Sequence, residues 1–232
     1  GYTSQVSHIA HFGLNGNATA DSVEVVWPSG LTQKQFSVSS NQTLSFTEPD
    51  LAQFTDVGAT AGVAVTGNGN SIGLSWGDYD GDGDQDVYVS SSSANVLYRN
   101  NGNSTFTDVT GGAPLNDGGS ARSVPWGDYD NDGDLDLFVT DASAGTTDKL
   151  LRNDGSGTFV DVSSAAGVNS TGIAGPAAWA DYDRDGHLDL FVGKFDGSNR
   201  LYENNGNGTF TDQASGAGVQ DAGGQIRGAS WG

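Results

Sequence analysis

The chemistry of this sequence is concentrated in aspartates that alternate with other residues. Residues 78–86 read Asp-Tyr-Asp-Gly-Asp-Gly-Asp-Gln-Asp, and an apolar run typical of a β-strand follows at once. Counted from Asp78, carboxylates stand at positions 1, 3 and 5 and a glycine stands at position 6. Oxygen ligands at this spacing, with a glycine where the backbone turns sharply, are how a short loop wraps Ca²⁺. We therefore predict a calcium loop in which Asp84 offers its backbone carbonyl and Asp86 closes the loop at position 9.

The same pattern occurs twice more, at residues 128–136 and 181–189. In the third copy His187 stands at position 7, where the expected ligand is a backbone carbonyl, so ligation is expected to survive. A solvated acidic surface has no reason to keep this register, and we predict about three Ca²⁺ sites, one in each complete repeat. The predicted metal-binding residues are Asp78, Asp80, Asp82, Asp84, Asp86, Asp128, Asp130, Asp132, Asp134, Asp136, Asp181, Asp183, Asp185, His187 and Asp189.

The overall charge narrows the choice of partners. Nine Lys and Arg residues stand against 29 Asp and Glu in 232 residues, a formal net charge of −20, and 14 of the acids lie in the three loops. Nucleic acid and anionic membrane surfaces are disfavoured, because phosphate groups are bound by clustered Lys and Arg. There is no cysteine for a disulfide or a thiolate metal site. No apolar run is long enough to cross a membrane, so we expect no membrane insertion.

The first part of the chain, residues 1–49, does not resemble the remainder. Candidate strands lie at 8–14, 22–27, 33–38 and 43–47, and these predict a small β module. His8 and His11 are three residues apart, which places them on opposite faces of a strand. No third ligand is nearby, so we expect no metal site there.

From Phe54 onwards the sequence repeats. Phe-Thr-Asp or Phe-Val-Asp recurs at Phe54, Phe106, Phe159 and Phe210, with spacings of 52, 53 and 51 residues. Such a period indicates units that bury themselves against their neighbours. Each unit has four strand signals, with the acidic loop after the first and an Asn-Gly or Asp-Gly turn before the last, which fits a four-stranded propeller blade. The predicted units within residues 50–232 are 54–105, 106–158, 159–209 and a partial unit, 210–232.

Several motifs resemble known families. Residues 54–232 resemble FG-GAP/VCBS repeats, the blades of integrin-α-like β-propellers, in Trp76-Gly-Asp-Tyr-Asp80, Leu97-Tyr-Arg-Asn-Asn-Gly102 and their copies. Residues 1–49 resemble the ASPIC/UnbV module in His11-Phe-Gly-Leu14 and in Asp21-Ser-Val-Glu-Val-Val-Trp-Pro-Ser-Gly30. The resemblance implies an all-β fold, Ca²⁺ in the acidic loop between the first two blade strands, and a secreted protein. About three and a half units are fewer than the roughly four to eight blades of a closed propeller, so we expect a propeller that is incomplete or completed in trans.

These observations predict an extracellular, calcium-stabilised repeat protein with a structural or adhesive role. An unpaired blade edge would invite pairing with other copies of the chain, and hence filaments. The alternatives are a propeller lectin that binds glycans and an accessory domain of a secreted enzyme; the expected partners are copies of the chain or extracellular protein and glycan ligands. We expect no catalysis, because Gly69-Asn-Ser71-Ile-Gly73 matches a nucleophile motif but a predicted strand follows where that motif requires a helix.

Overall fold

The computed structural model describes residues 19–27, 32–39, 44, 46, 55–63, 71–111, 114–116, 120–143, 145–221, 226 and 228–231. The chain divides into two compact units, Gly1–Thr55 and Asp56–Gly232. No helix in the described part of the chain has the length and apolar character needed to span a membrane.

The first unit contains an antiparallel hairpin of β1 (Thr19–Val26) and β2 (Thr32–Ser39). Glu24 faces Lys34 across the hairpin, and their charged groups are 3.5 Å apart. The predicted strands at 22–27 and 33–38 correspond to this hairpin. The predicted strand at 8–14, with its two histidines, lies outside the described residues, and so does most of the one at 43–47.

The second unit is built from three four-stranded antiparallel sheets that share one plan, in which each strand pairs with the next one along the chain. The strands are β3 (Ser71–Gly77), β4 (Asp86–Ser91), β5 (Val96–Asn100), β6 (Phe106–Asp108), β7 (Trp126–Gly127), β8 (Asp136–Val139), β9 (Lys149–Asn153), β10 (Phe159–Asp161), β11 (Ala174–Ala180), β12 (Asp189–Lys194), β13 (Arg200–Asn204) and β14 (Phe210–Asp212). Two four-residue helices are also present, α1 (Gly58–Ala61) and α2 (Ser163–Ala166). The predicted all-β fold of propeller-like blades is confirmed.

The sheets are offset from the sequence period by one strand. Phe106, Phe159 and Phe210 each begin the last strand of a sheet, which follows the Asn-Gly or Asp-Gly turn as the sequence predicts, although the predicted units were counted from the Phe motif. Residues 210–232 therefore first supply the fourth strand of the third sheet. A sequence period measures the length of a unit, whereas hydrogen bonding between strands decides where the unit begins. The hairpins that contain Asn-Gly or Asp-Gly are also longer than a two-residue turn, since Asn101 donates its backbone N–H to the carbonyl of Thr105.

The hydrophobic core lies between neighbouring sheets. One buried cluster joins Tyr88 and Leu97 of the first sheet to Leu137 and Leu151 of the second, and a similar cluster joins the second sheet to the third. Each sheet is thus stabilised by burying its side chains against the next, as expected for repeat units.

Tryptophans mark these interfaces. Trp126 donates its indole N–H to the carbonyl of Ser75 in the preceding sheet, and Trp179 donates to Pro125 in the same way. A Cβ placed on Gly77 would lie 2.7 Å from the Trp126 ring, so glycine is needed there for the indole to pack. Trp126 and Trp179 therefore pack between neighbouring blades.

Candidate metal centre

Each acidic loop connects the first strand of its sheet to the second. The first loop leaves β3 after Gly77, and Asp86 is the first residue of β4, paired with Gly77. Within the loop the carboxylate of Asp78 accepts the backbone N–H groups of Asp82, at 3.1 Å, and Gly83, at 3.0 Å. The corresponding bonds to Asp128 and to Asp181 are present in the other two loops. The loop is therefore folded around its first carboxylate.

The glycine at position 6 is required by the backbone. Gly83, Gly133 and Gly186 have φ angles of 94°, 97° and 93°. These values lie in the left-handed region that side chains with a Cβ rarely adopt. The sharp turn predicted at this position is therefore present in all three loops.

Three carboxylates converge in each loop, at positions 1, 3 and 9. In each group, one oxygen from each residue lies within 4.8 Å of the others, which is close enough for all three to hold one metal ion. The three groups, called here the first, second and third triads, are Asp78, Asp80 and Asp86; Asp128, Asp130 and Asp136; and Asp181, Asp183 and Asp189.

The carboxylate at position 9 is the buried member of each triad. Asp136 is fully buried, and its two oxygens accept the backbone N–H groups of Tyr129, at 3.2 Å, and Asn153, at 2.9 Å. Burial, helped by the negative charges of neighbouring aspartates, raises the pKa of Asp136 to about 7, while the two hydrogen bonds oppose the shift. Burial likewise raises the pKa of Asp86 to about 6. In both residues burial is the largest cause of the raised pKa, and the neighbouring aspartates add to it.

The carboxylate at position 3 provides the test of whether a metal fits. Oδ1 of Asp80 and Oδ1 of Asp130 are buried, and neither has a hydrogen-bond partner. A buried carboxylate oxygen without a partner is unfavourable, because it has lost its water and gained nothing in return. A hard divalent cation at the triad would supply the missing interaction, and carboxylate oxygens are the ligands that Ca²⁺ prefers. The first and second triads therefore fit a bound Ca²⁺ ion.

The predicted residues at positions 5 and 7 lie outside the triads. At position 5, an oxygen of Asp82 accepts the backbone N–H of Asp84, at 2.9 Å, and Asp132 and Asp185 make the same type of bond. At position 7, the side chains of Asp84, Asp134 and His187 contact the hairpin glycine that follows β5, β9 and β13, respectively. Ligation by the carboxylates at position 5 and by the backbone carbonyl at position 7 stays a prediction. The contact with the hairpin was not foreseen from the sequence, because it joins residues about 20 positions apart.

The loops are also tied to the next sheet. Asn153 of the second sheet donates its side-chain N–H to the carbonyl of Tyr79 in the first loop, at 2.7 Å. Asn204 of the third sheet donates in the same way to Tyr129, at 2.8 Å. Because Tyr79 and Tyr129 each lie between two triad residues, a triad and the neighbouring interface are mechanically connected.

Comparisons with known proteins agree with this architecture. A family profile described as FG-GAP-like repeat matches residues 78–139, 128–192 and 181–232, and one described as ASPIC and UnbV matches residues 1–53. Cartilage acidic protein 1 from Mus musculus is 44% identical over 54 residues, which cover 23% of this chain and 8% of that protein. Its relative from Xenopus tropicalis is 40% identical over 70 residues, which cover 28% of this chain and 11% of the relative. The chain thus spans about a tenth of the length of these curated relatives. The repeat profile covers well over half of the chain, and on this ground the chain belongs to the family of FG-GAP-like repeat proteins, with an ASPIC and UnbV segment at its start.

Proposed function

We propose that this chain is an extracellular repeat protein, stabilised by calcium, with a structural or adhesive role. The observation that carries the proposal is the pair of buried, unpartnered oxygens of Asp80 and Asp130, each within a triad of carboxylates. In the triads Ca²⁺ would supply the positive charge that the clustered carboxylates need. The residues that would hold it are those at positions 1, 3 and 9 of each loop.

Calcium at a triad would also stabilise the contact between sheets. The first triad joins the end of β3 to the start of β4 and encloses Tyr79, whose carbonyl accepts the side chain of Asn153 from the next sheet. Holding Asp78 and Asp86 together therefore fixes the acceptor on which the second sheet depends. Binding to the folded state alone raises the free energy of unfolding.

The proposed extracellular location rests on the calcium affinity expected of the loops and on the composition of the chain. Short loops without a bidentate Glu at position 12 are expected at the weak end of calcium affinity, about 10⁻⁴ to 10⁻³ M, as in extracellular modules. The net charge of −20 agrees with the word acidic in the name of the curated relatives. We propose that the chain is not an enzyme, since Ser71 of the nucleophile-like motif begins strand β3 and no helix follows it directly.

The adhesive part of the proposal rests on the exposed side of the first sheet. Leu74 is 62% exposed, whereas its counterparts Val124 and Ala177 are 3% and 7% exposed because they pack between sheets. Trp76 is likewise 53% exposed. This surface has the residues that cover a neighbouring sheet elsewhere in the chain, so another repeat of the same type, from a second copy or from a longer chain, is the partner we propose.

Pairing through the edge formed by the last strand of a sheet is less favoured than pairing through this face. The last strands β6, β10 and β14 have three residues each, and each ends in an aspartate. Short and charged edges discourage the addition of a further strand. Sedimentation velocity of the wild-type chain and of Leu74→Asp would distinguish the two routes, since only association through the face is expected to be lost in the variant.

Thermal unfolding in millimolar CaCl₂ and in EDTA tests the proposal. At a free calcium concentration 100-fold above Kd, one site stabilises the folded state by about 2.7 kcal/mol, so the Tm is expected to rise by several degrees. MgCl₂ at the same concentration is the control and is expected to have a smaller effect. Equal Tm values in CaCl₂ and EDTA would overturn the proposal.

A further inference from the structure

A groove lies between the second and third sheets, beside the second and third acidic loops. Its cavity has a volume of about 410 Å³. One wall comes from the second sheet and α2, with Tyr129, Arg152 and Val162, and the other comes from the third sheet, with His187 and Asn207. Tyr129 and Val162 also belong to the core between the two sheets, whereas Arg152, His187 and Asn207 are not part of that core.

Arg152 supplies the positive charge of the groove. Within the described part of the chain its guanidinium forms no ion pair and donates no hydrogen bond, unlike Arg200, which pairs with Asp212 at 2.8 Å. Burial raises the pKa of Asp130 in the same groove, and the nearby charge of Arg152 opposes that shift without a direct contact. The guanidinium thus keeps its planar set of donors, which is suited to a carboxylate.

His187 supplies a second donor, with a defined tautomer. The amide nitrogen of Asn131 donates to the carbonyl of Gly186, at 3.1 Å, and lies 3.0 Å from Nδ1 of His187. Because that nitrogen is the donor, Nδ1 is the acceptor, and the ring proton of the neutral histidine is on Nε2. His187 therefore keeps an N–H group that Asn131 does not use.

Asn207 supplies a third donor. Its side-chain oxygen already accepts the backbone N–H of Thr209, at 3.1 Å, and the hydroxyl of the same residue, at 2.6 Å. The amide N–H₂ of Asn207 remains for a ligand. The carboxylate of Asp130, a member of the second triad, also lines the groove.

We propose that this groove binds a carboxylate-bearing saccharide, a uronic acid unit of an acidic polysaccharide. Arg152 and His187 would bind the carboxylate, Asn207 would donate to a hydroxyl or ring oxygen, and Val162 with Ala165 would contact the C–H face of the sugar. The uronic acid would be a ligand for the proposed adhesive role, and its biological meaning rests on that proposed function. Binding in the groove is a separate event from calcium binding in the triads.

The first and second sheets provide a matched contrast. At the corresponding interface Arg99 stands where the later one has Arg152, but Asp134 takes the place of His187 and Ser156 takes the place of Asn207. A carboxylate at the position of His187 repels an anion and donates no hydrogen bond. Only the groove between the second and third sheets is therefore expected to bind the acidic sugar.

The test compares a galacturonate disaccharide with a neutral galactose disaccharide, using calorimetry on the full chain in millimolar calcium. The wild type is expected to bind the acidic sugar with at least tenfold preference, because a charge-assisted hydrogen bond contributes about 1.5–3 kcal/mol. Arg152→Ala and His187→Asp are each expected to weaken binding at least about tenfold. Asp is the natural residue at the equivalent position of the other two loops, so His187→Asp is expected to fold.

The matched control is Arg99→Ala, in the interface that lacks the histidine, and it is expected to leave binding unchanged. Equal binding of the two sugars, no binding of either, or unchanged binding by Arg152→Ala and His187→Asp would overturn the inference. Thermal unfolding of the same samples separates the two proposals. A calcium-dependent Tm without uronate binding would reject the groove alone, and uronate binding without a calcium effect would reject calcium stabilisation alone.

Discussion

The first two acidic loops differ from the third, although their backbones are alike. In the first two triads, the members at positions 1 and 3 are partly buried, whereas Asp181 and Asp183 of the third triad are exposed. Oδ1 of Asp80 and of Asp130 has no partner, but Oδ1 of Asp183 accepts the backbone N–H of Asp185, at 3.1 Å. The third triad has less unsatisfied charge, so we expect it to bind calcium more weakly than the other two.

Local sequence explains part of this difference. Arg184 occupies position 4 of the third loop with a φ of 66°, where the first loop has Gly81 and the second has Asn131. Arginine in the left-handed region costs about 1–2 kcal/mol relative to glycine, and asparagine tolerates it better. The three loops therefore show that one backbone fold can hold sites of unequal strength, depending on burial and on the residues between the ligands.

The largest expected loss of stability comes from replacing Asp136, the buried carboxylate of the second triad. Asp136→Ala leaves the backbone N–H groups of Tyr129 and Asn153 buried without an acceptor, each at a cost of about 1–3 kcal/mol. The free energy of unfolding in urea is expected to fall by about 2–6 kcal/mol in calcium. Asp132→Ala, at an exposed position of the same loop, is the control; a loss as large in this control would show that burial is not the cause.

The next largest loss of stability is expected from the residue after the tryptophan position in the second sheet, compared with the equivalent residue in the third. Gly127→Ala places a Cβ 2.8 Å from the ring of Trp179, an overlap expected to cost about 1–3 kcal/mol. Its counterpart in the third sheet is already an alanine, so Ala180→Gly is expected to change stability by less. Thermal unfolding of both variants checks the ranking, which fails if Gly127→Ala unfolds at the wild-type temperature.

Asp130→Asn, at position 3 of the second loop, is expected to change the stability in opposite directions with and without calcium. Without calcium, Asp130→Asn removes a buried charge and is expected to stabilise the protein by about 1 kcal/mol. With calcium the same variant is expected to be less stable than the wild type, because one ligand is weakened. Asp183→Asn should show a smaller change in both conditions, since Asp183 is exposed. Denaturation curves with and without EDTA measure all four values, and the same sign in both conditions for Asp130→Asn would contradict the account.

The calcium-free protein is expected to lose stability as pH rises from about 4 to about 7. The pKa of Asp136 is raised to about 7 and that of Asp86 to about 6, so the folded state holds more protons than the unfolded state in this range. Stability therefore decreases with pH when a folded-state pKa is raised. Calcium replaces those protons, and the rise in Tm on adding calcium should grow over the same pH range. A calcium effect independent of pH between 4 and 7 would argue against buried carboxylates as ligands.

The smallest expected change is in the calcium affinity of the third loop. Arg184→Gly gives position 4 of that loop the residue that the first loop has there. Relief of the left-handed conformation and removal of a positive charge should both favour the metal-bound loop, with a gain of about 1 kcal/mol. Calorimetric titration with calcium should then show the third site closer in affinity to the other two. Asn131→Gly serves as the comparison and is expected to change affinity less.

Much of the fold and of the site was predictable from the sequence, because the patterns that determine them are short-range and occur three times. The aspartate spacing, the glycine at position 6 and the strand-type runs after each loop are short-range patterns, and the structure places them as the patterns indicate. The sequence did not distinguish the carboxylates at positions 1, 3 and 9 as the three that converge, because their convergence depends on how the strand after the loop pairs with the strand before it. The bond from Asn204 to Tyr129 also depends on a contact between distant residues.

The most direct measurement is anomalous diffraction from crystals of the chain grown in millimolar calcium. The account predicts a peak between Asp78, Asp80 and Asp86, a peak of similar height between Asp128, Asp130 and Asp136, and a lower one between Asp181, Asp183 and Asp189. Well-ordered loops without a peak at any of the three positions would contradict it.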